Sequence, residues 1–203
     1  MLLSTGQDAS RLTPAFVRRR LAARPPGGDG GLAASERQGL TPAAVLVPLM
    51  THGRGMTALF TRRTAHLAVH PGQISFPGGR AAPGDRDPVA TALRETEEEI
   101  GMTADRVEVV GCLDPCDTST GFLVTPVVGL VAPPVALKLD AFEVAEAFEV
   151  PLSFLLDPAN RRREKRRRGG RTREVDAFDY QDRTIWGATA RMVINLYEIL
   201  YLR

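Results

Sequence analysis

The chain has 203 residues, which is enough for one domain with a sizeable hydrophobic core and some additional segments. Hydrophobic residues make up 43% and charged residues 25%, as in ordinary water-soluble globular proteins, and no apolar run approaches the length of a membrane span. The net charge of +2 is unevenly spread: residues 161–173 hold nine basic residues and one acid (+8), so the other 190 residues sum to −6. This distribution excludes a uniformly basic nucleic-acid-binding protein.

The N-terminus and the cysteines bear on the cellular compartment. The first sixteen residues lack the basic-then-apolar layout of a secretory signal, and we expect a cytoplasmic protein without a membrane partner. Cys112 and Cys116 are the only cysteines, and this pair neither frames a disulfide scaffold nor completes a zinc site. We therefore predict that both are structural thiols.

Residues 1–40 are predicted to form a peripheral segment ahead of a domain that spans residues 41–203. Residues 13–24 fit an amphipathic helix, with Thr13 as the N-cap and Pro14 at the first helical position. The following PPGGDGG (25–31) interrupts any regular structure.

From residue 43 onward the chain becomes rich in strand-forming residues. The predicted strands are 43–50, 57–63, 106–114 and 122–132, with shorter pieces at 176–180 and 184–187. The predicted helices are 88–100, 141–148 and 188–202, and residues 151–156 form a short buried segment. Their irregular alternation indicates an α/β protein in which helices cover a mixed sheet.

The helix at 88–100 has clear boundary signals and a clear core face. Asp87 fits the N-cap, Pro88 the first helical position and Gly101 the stop. An apolar face follows from the helical spacing of four residues, which are Val89, Leu93, Thr96 and Ile100.

The same helix carries four glutamates within five residues, in RETEEEIG (94–101). Glu95, Glu98 and Glu99 are spaced i, i+3 and i+4, so their carboxylates converge on one side of the helix, whereas Glu97 points elsewhere. Such a trio repels itself unless cations neutralise it, and oxygen-only ligands favour hard ions such as Mg2+ or Mn2+. Taken alone, the pattern is equally typical of a solvated acidic helix face.

The sequence upstream of the helix favours the metal-binding interpretation. FPGGR (76–80) puts a glycine-rich turn before the helix, and glycines let main chain approach a ligand closely. From Gly79 through Asp85 and the REx2EE run to Gly101, the chain resembles the Nudix box, the loop–helix–loop motif of hydrolases that act on nucleoside diphosphates linked to another moiety. The resemblance implies the Nudix α/β/α sandwich. Asp85 replaces the usual glutamate, and one extra residue separates it from Arg94.

A second match is more specific. LFTRRTAHLAVHPGQISFPGG (59–79) resembles the segment that precedes the box in coenzyme A diphosphatases of this family, in which the extra residue is also usual. The resemblance covers roughly residues 42–192. The positions in register with the pattern are Leu59, Thr61, Arg63, Leu67, His70, Gly72, Phe76, Pro77, Gly78 and Gly79.

The resemblance implies a reaction and assigns roles to residues. Coenzyme A, or a thioester of it, is cut at its pyrophosphate into 4′-phosphopantetheine (or its acyl form) and adenosine 3′,5′-bisphosphate, with Mg2+ or Mn2+ as cofactor. The metal ligands are then Glu95, Glu98, Glu99 and the main chain of Gly79, and Arg94 holds the carboxylates by ion pairing. Glu95, Glu143 and Glu146 are candidates for the general base, the latter two at the start of the predicted 141–148 helix.

Substrate contacts are expected from Arg63, His70, Gln73, Gly78 and Gly79. The ribose 3′-phosphate of coenzyme A needs a cationic partner, and both Arg63 and the arginines of 161–173 are candidates. For the 161–173 run a solvated or disordered loop is the commoner interpretation, and for Trp186 a core position. A lone His70 before a turn also fits a structural role.

Two rival functions stay open. One is a Nudix pyrophosphatase for another nucleoside diphosphate derivative, such as NADH, ADP-ribose or nucleotide-capped RNA. The other is a catalytically silent Nudix-fold module that binds RNA through its basic segment, although the intact glutamates argue against it. We expect a small-molecule substrate and no nucleic-acid partner, and a homodimer is left open.

Overall fold

The structure is a computed structural model that describes residues 12–22, 39–67, 71–168 and 171–203. The helices are α1 (Pro14–Leu21), α2 (Pro88–Ile100), α3 (Leu152–Leu155) and α4 (Ala188–Tyr201), and short 3-10 turns span Ala104–Arg106 and Pro158–Asn160. The strands are β1 (Thr41–His52), β2 (Gly55–Arg63), β3 (Ile74–Ser75), β4 (Gly78–Arg80), β5 (Val107–Cys112), β6 (Cys116–Asp117), β7 (Phe122–Val131), β8 (Val144–Pro151), β9 (Arg161–Arg168), β10 (Arg171–Tyr180) and β11 (Arg183–Trp186). Within these ranges no helix is both long and apolar enough to cross a membrane.

A mixed sheet forms the centre of the fold, as the sequence predicts. Its main path runs β3-β2-β1-β7-β5, while β4 pairs with β1, β6 with β7, and β8 with β2. The β1–β7 pair is parallel, in register from Thr41 opposite Phe122 to Met50 opposite Val131, and the other pairs are antiparallel. β1 therefore sits in the middle, where long apolar strands are buried on both faces.

Hydrophobic clusters lie on both sides of this sheet. One contains Phe60 and Val128 together with residues of α1 and α4, and the other contains Leu46 and Val127 together with residues of α2. Adjacent residues of β7, Val127 and Val128, belong to opposite clusters because successive side chains of a strand point to opposite faces. The result is the predicted α/β/α sandwich.

Helices α1 and α2 begin as the sequence predicts. Thr13 caps α1 by accepting a hydrogen bond from the Phe16 N–H at 3.2 Å, and Asp87 caps α2 by accepting from the Ala90 N–H at 2.8 Å. Gly101 ends α2 with φ of 70°, a left-handed conformation that favours glycine. The predicted core face of α2 is confirmed: Thr96 and Ile100 are fully buried, and Val89 and Leu93 pack partly buried against the same cluster.

The N-terminal segment is described only in part. Leu12, Val17 and Leu21 are buried in the main cluster, and Arg18 of α1 forms an ion pair with Glu108 of β5 at 2.6 Å. Residues 1–11 and 23–38, including the predicted PPGGDGG break, lie outside the described residues. The boundary at residue 40 stays a prediction.

The prediction of a helix at 141–148 is wrong. Residues 141–143 form a turn, and β8 then pairs antiparallel with β2. Phe148 lies opposite Phe60 with the ring centroids 5.9 Å apart. β2 needs a neighbour along its open edge, and this non-local pairing outweighs the local helical periodicity of the segment.

The loop interpretation of 161–173 is also wrong. Arg161–Arg168 and Arg171–Tyr180 form two antiparallel strands, and β11 completes a separate sheet with the order β11-β10-β9. Ala177, Phe178 and Ile185 are buried and anchor this sheet to the core. The predictions of strand at 176–180 and 184–187 are confirmed.

Cys112 and Cys116 form no disulfide in the part of the chain that the structure describes, as expected for structural thiols. Cys116 is buried and Cys112 is half-buried. Burial raises the pKa of the Cys116 thiol, which keeps it in the neutral form.

Candidate active site

Arg94 organises the acidic face of α2. Its Nη1 lies 2.8 Å from Glu95 and 2.9 Å from Glu98, and its Nε and Nη2 donate to Asp85 at 3.0 and 2.9 Å. Nη2 also donates to the Arg80 carbonyl at 3.0 Å, which ties the helix to the glycine-rich strand β4. These hydrogen bonds raise the pKa of the guanidinium, so the charge of Arg94 is permanent.

Glu99 has its side chain turned into the protein, toward β4. Its side chain is only 6% exposed and accepts a hydrogen bond from the Gly78 N–H at 3.3 Å. Burial raises the pKa of Glu99 to about 8, and the charges of Glu143 and Glu95 act in the same direction. Burial also raises the pKa of Glu95, to which Glu98 and Glu143 contribute. Glu95, Glu99 and Glu143 therefore share one electrostatic environment.

Two glycines allow the close approach between β4 and its neighbours. A side chain at Gly78, whose φ is 147°, would begin 2.4 Å from the Ala44 carbonyl of β1. A side chain at Gly79 would begin 2.3 Å from the carboxylate of Glu95. Both distances are far below van der Waals contact: Gly78 lets β4 lie directly against β1, and Gly79 lets the Glu95 carboxylate lie against the main chain of β4.

Of the two downstream candidates for the general base, only Glu143 lies by the acidic residues. Thr64 fixes its position, since the Thr64 Oγ donates to the Phe142 carbonyl at 2.8 Å and the Thr64 N–H to the Glu143 carbonyl at 2.9 Å. Arg63 lies 3.9 Å from the Glu143 carboxylate.

Glu146 is occupied elsewhere. It lies on β8, where it accepts hydrogen bonds from the guanidinium of Arg183 and pairs with Arg62 at 3.5 Å. An acceptor already engaged by two guanidinium groups is a poor proton acceptor, so this geometry favours Glu143.

The acidic residues suit a divalent cation by their chemistry, although they do not surround one. Within the described ranges, no three Asp, Glu, His or Cys side chains form a group that could hold a metal ion. Glu95 and Glu98 are drawn to Arg94 while Glu99 turns toward Gly78. Their donors are nonetheless all carboxylate oxygens, and the raised pKa values of Glu95 and Glu99 reflect burial and repulsion that a cation would relieve.

A cavity of about 820 Å³ lies along β4, and Glu95, Glu98, Glu99 and Glu143 are not among the residues that line it. Four of the predicted substrate residues line it, namely Arg63, Gln73, Gly78 and Gly79. His70 lies outside the described residues. Gly78 and Gly79 thus belong both to the cavity wall and to the contacts with Glu99 and Glu95.

Another part of the wall comes from the basic run 161–173, whose arginines are candidates for a phosphate partner from the sequence, and from Trp186, which is half-buried and not in the core position that the sequence favours. Arg166 of β9, Arg173 of β10 and Trp186 of β11 all line the cavity, and the Arg166 guanidinium lies 3.9 Å from the centroid of the Trp186 ring. One sequence signal could have predicted the hairpin: a Gly-Gly pair, Gly169-Gly170, between two longer runs is typical of a two-residue turn that joins antiparallel strands. The density of arginines obscured it.

A family model described as the NUDIX domain matches residues 39–167. Two relatives, both named uncharacterized Nudix hydrolase NudL, come from Photorhabdus laumondii (44% identity, 77% of this chain, 83% of the relative) and Pectobacterium atrosepticum (43%, 76% and 80%).

Similar solved structures include a binary complex of the C. elegans Ap4A hydrolase, with 22% identity, a TM-score of 0.48 and coverage of 54% of this chain and 80% of that one. Another is DR0079 from Deinococcus radiodurans, with 14% identity, a TM-score of 0.48 and coverage of 77% and 83%.

Proposed function

Since this chain belongs to the Nudix family, whose hydrolases act on phosphoanhydride bonds, we propose that its substrate is coenzyme A or a coenzyme A thioester. Water adds to one phosphorus of the pyrophosphate while the bridging P–O bond breaks. The products are 4′-phosphopantetheine, or its acyl form, and adenosine 3′,5′-bisphosphate.

The observation that carries this proposal is the position of the segment that resembles coenzyme A diphosphatases, residues 59–79. It runs from β2 to β4, and it contributes Arg63, Gln73, Gly78 and Gly79 to the cavity wall. Its last two glycines also contact the carboxylates of α2. Arg63, Gly78 and Gly79, which are in register with the subfamily pattern, thus belong to the part of the cavity wall nearest the acidic residues, and this supports the proposal.

The shape and charge of the cavity support an anionic ligand of nucleotide size. A volume of about 820 Å³ is in the range of small-molecule and cofactor sites. Its wall has more guanidinium groups than carboxylates. The arginines are Arg63, Arg80, Arg166, Arg173 and Arg191, and the acids are Asp117, Glu174 and Asp176.

In this proposal Glu95, Glu98 and Glu99, with the main chain of Gly79, hold Mg2+ or Mn2+. When bound, such an ion supplies positive charge that offsets the phosphate oxygens and makes water more acidic. Arg94 keeps Glu95 and Glu98 oriented through the nitrogen that they share. Glu143 accepts the proton of the attacking water, because Glu146 is engaged by Arg183 and Arg62.

The experiment that tests the proposal is a substrate panel. The purified chain is incubated with coenzyme A, acetyl-coenzyme A, NADH, ADP-ribose and a nucleotide-capped RNA in Mg2+ or Mn2+, and the products are identified by mass. We expect 4′-phosphopantetheine and adenosine 3′,5′-bisphosphate from coenzyme A at the highest kcat/KM. Faster cleavage of NADH, ADP-ribose or capped RNA would contradict the coenzyme A assignment and leave the family chemistry intact. RNA binding without any hydrolysis would instead support the silent module.

A further inference from the structure

The hairpin of β9 and β10 places two arginines directly opposite each other. Arg166 pairs in register with Arg173, and both line the cavity. The neighbouring basic positions face acids instead, since Lys165 lies opposite Glu174 and Arg163 opposite Asp176. Like charges directly opposite on a sheet are destabilising. A second pair of arginines, Arg168 opposite Arg171, lies at the end of the two strands, so the Arg166–Arg173 pair that lines the cavity is one of two places in the hairpin where arginines pair in register.

The guanidinium of Arg166 is held in a defined orientation. It lies over the Trp186 ring at 3.9 Å from the centroid, and Glu164 hydrogen-bonds it from the same strand while also binding Arg162. A guanidinium stacked on an aromatic ring keeps its edge N–H groups available for an anion in the ring plane. Arg173 forms no ion pair with any residue that the structure describes, so its charge is available.

Arg63, the other candidate for a second phosphate, is placed differently. It lines the cavity, lies 3.9 Å from Glu143 and acts by its charge on Glu99, so it marks the part of the cavity wall nearest the glutamates. The hairpin pair lies on strands that contribute none of these carboxylates. One ligand in this cavity can therefore place its diphosphate near Arg63 and β4, next to the glutamates, and a separate anionic group at the hairpin.

We propose that Arg166 and Arg173 form a subsite for a phosphomonoester that is separate from the diphosphate cleaved. The identity of this group rests on the proposed function: it is the ribose 3′-phosphate of coenzyme A. A phosphomonoester carries about −1.5 to −2 charges at neutral pH. Two guanidinium groups match that charge and bind phosphate oxygens bidentately, which gives geometric specificity as well as attraction.

The test uses binding in EDTA, so that it does not depend on hydrolysis. Trp186 is the only tryptophan of the chain, and its fluorescence reports on the hairpin end of the cavity. The wild type, Arg173→Ala and Arg166→Ala are titrated with adenosine 3′,5′-bisphosphate and with adenosine 5′-monophosphate. Isothermal calorimetry accompanies the fluorescence, because Arg166→Ala removes the cation stacked on Trp186 itself.

The matched control is Arg167→Ala. It removes the same charge from the same strand, but Arg167 is exposed, lies opposite Thr172 and does not line the cavity. We expect the wild type and the control to bind the bisphosphate at least about 10-fold more tightly than the monophosphate. Each arginine variant loses this preference while its affinity for the monophosphate changes little. Circular dichroism confirms that the variants fold.

A wild type without preference for the bisphosphate, or variants that keep it, would overturn the subsite. The turnover of coenzyme A is also compared with that of 3′-dephospho-coenzyme A. This comparison shows whether the subsite or the proposed substrate is wrong. If neither is cleaved while the binding preference holds, the subsite stands and the substrate assignment fails. If both are cleaved at a ratio that the arginine variants leave unchanged, the substrate assignment stands and the subsite fails.

Discussion

Arg94 donates two hydrogen bonds to the Asp85 carboxylate, from Nε to one oxygen at 3.0 Å and from Nη2 to the other at 2.9 Å. Asp85 also accepts hydrogen bonds from the Ala82 N–H at 2.8 Å and the Thr91 hydroxyl at 2.9 Å. The side chain is 8% exposed, and each of its oxygens has a donor. The aspartate that replaces the usual glutamate of the box therefore anchors the loop before α2 to the arginine of the helix.

Replacing Asp85 with Asn should destabilise the protein by about 1.5–3 kcal/mol at pH 7, the typical worth of hydrogen bonds to a charged group. The hydrogen bonds from Arg94 hold the pKa of Asp85 well below its usual value. Its stabilisation is therefore present above about pH 4, the pKa of an unfolded aspartate, and is lost as the pH falls toward the folded pKa. Urea unfolding of both proteins between pH 7 and pH 3 measures the difference.

The difference between wild type and Asp85→Asn should shrink as the pH falls below about 4. The control is Glu97→Gln, an exposed change on the same helix, which should leave stability within about 0.5 kcal/mol at every pH. A constant difference down to pH 3 would mean that the Asp85 carboxylate charge is not what stabilises the loop.

Activity should require a divalent cation. We expect turnover to vanish in EDTA and to return on addition of Mg2+ or Mn2+, because Glu95, Glu98 and Glu99 are carboxylate donors with little compensating positive charge beyond Arg94. The measurement is product formation during a metal titration, with the fold followed by circular dichroism. Full turnover in EDTA would exclude the metal assignment.

Glu98→Gln and Glu99→Gln should each lower kcat by at least about 100-fold, since each removes a charged ligand at the reacting phosphates. Without metal, Glu99→Gln should unfold at the same temperature or higher, because it removes a buried carboxylate from the vicinity of Glu95 and Glu143. Steady-state kinetics and thermal unfolding supply both values. Glu97→Gln is again the control. If Glu98→Gln or Glu99→Gln had the same kcat as Glu97→Gln, the assignment of that glutamate to the active site would be wrong.

Glu143→Gln and Glu146→Gln should have different effects. Glu143→Gln lowers kcat by about 100-fold and removes the acidic limb of the pH–rate profile, as expected for loss of a general base. Glu146→Gln weakens the pairs with Arg183 and Arg62, so it lowers the melting temperature and leaves the pH profile unchanged. If Glu143→Gln and the wild type had identical pH–rate profiles, Glu143 would not be the general base, and Glu95 would be the remaining candidate.

Gly79→Ala should displace Glu95, because the added carbon would lie 2.3 Å from its carboxylate. We expect kcat to fall by at least about 10-fold with a folded protein, since the Glu95 side chain moves more easily than the β1–β4 pairing breaks. Gly84→Ala, with nothing within 4 Å of the added carbon, is the matched control. If Gly79→Ala and Gly84→Ala had the same kcat, Gly79 would not contribute to the active site.

The parts of the fold that follow local rules were predictable from the sequence. Helical spacing and backbone preference alone predict the caps of α2 at Asp87 and Gly101 and its core face. The same spacing predicts which glutamates of α2 lie on one side of the helix. β8 was mistaken for a helix, because its structure depends on pairing with β2, which lies over eighty residues earlier in the chain. The register that pairs Arg166 with Arg173 would follow from a hairpin prediction centred on Gly169-Gly170, but the density of arginines in 161–173 favoured a solvated loop.

The hairpin is buried at its base and open at its tip. Ala177, Phe178 and Ile185 anchor it, whereas Arg167, Thr172 and Arg173 are exposed. Substitutions at exposed tip positions change stability little, while those at the base create cavities. During evolution the tip can therefore vary in charge without bringing the protein below its threshold of stability. Ligand preference can drift in such a lineage while the helix that carries the glutamates is preserved.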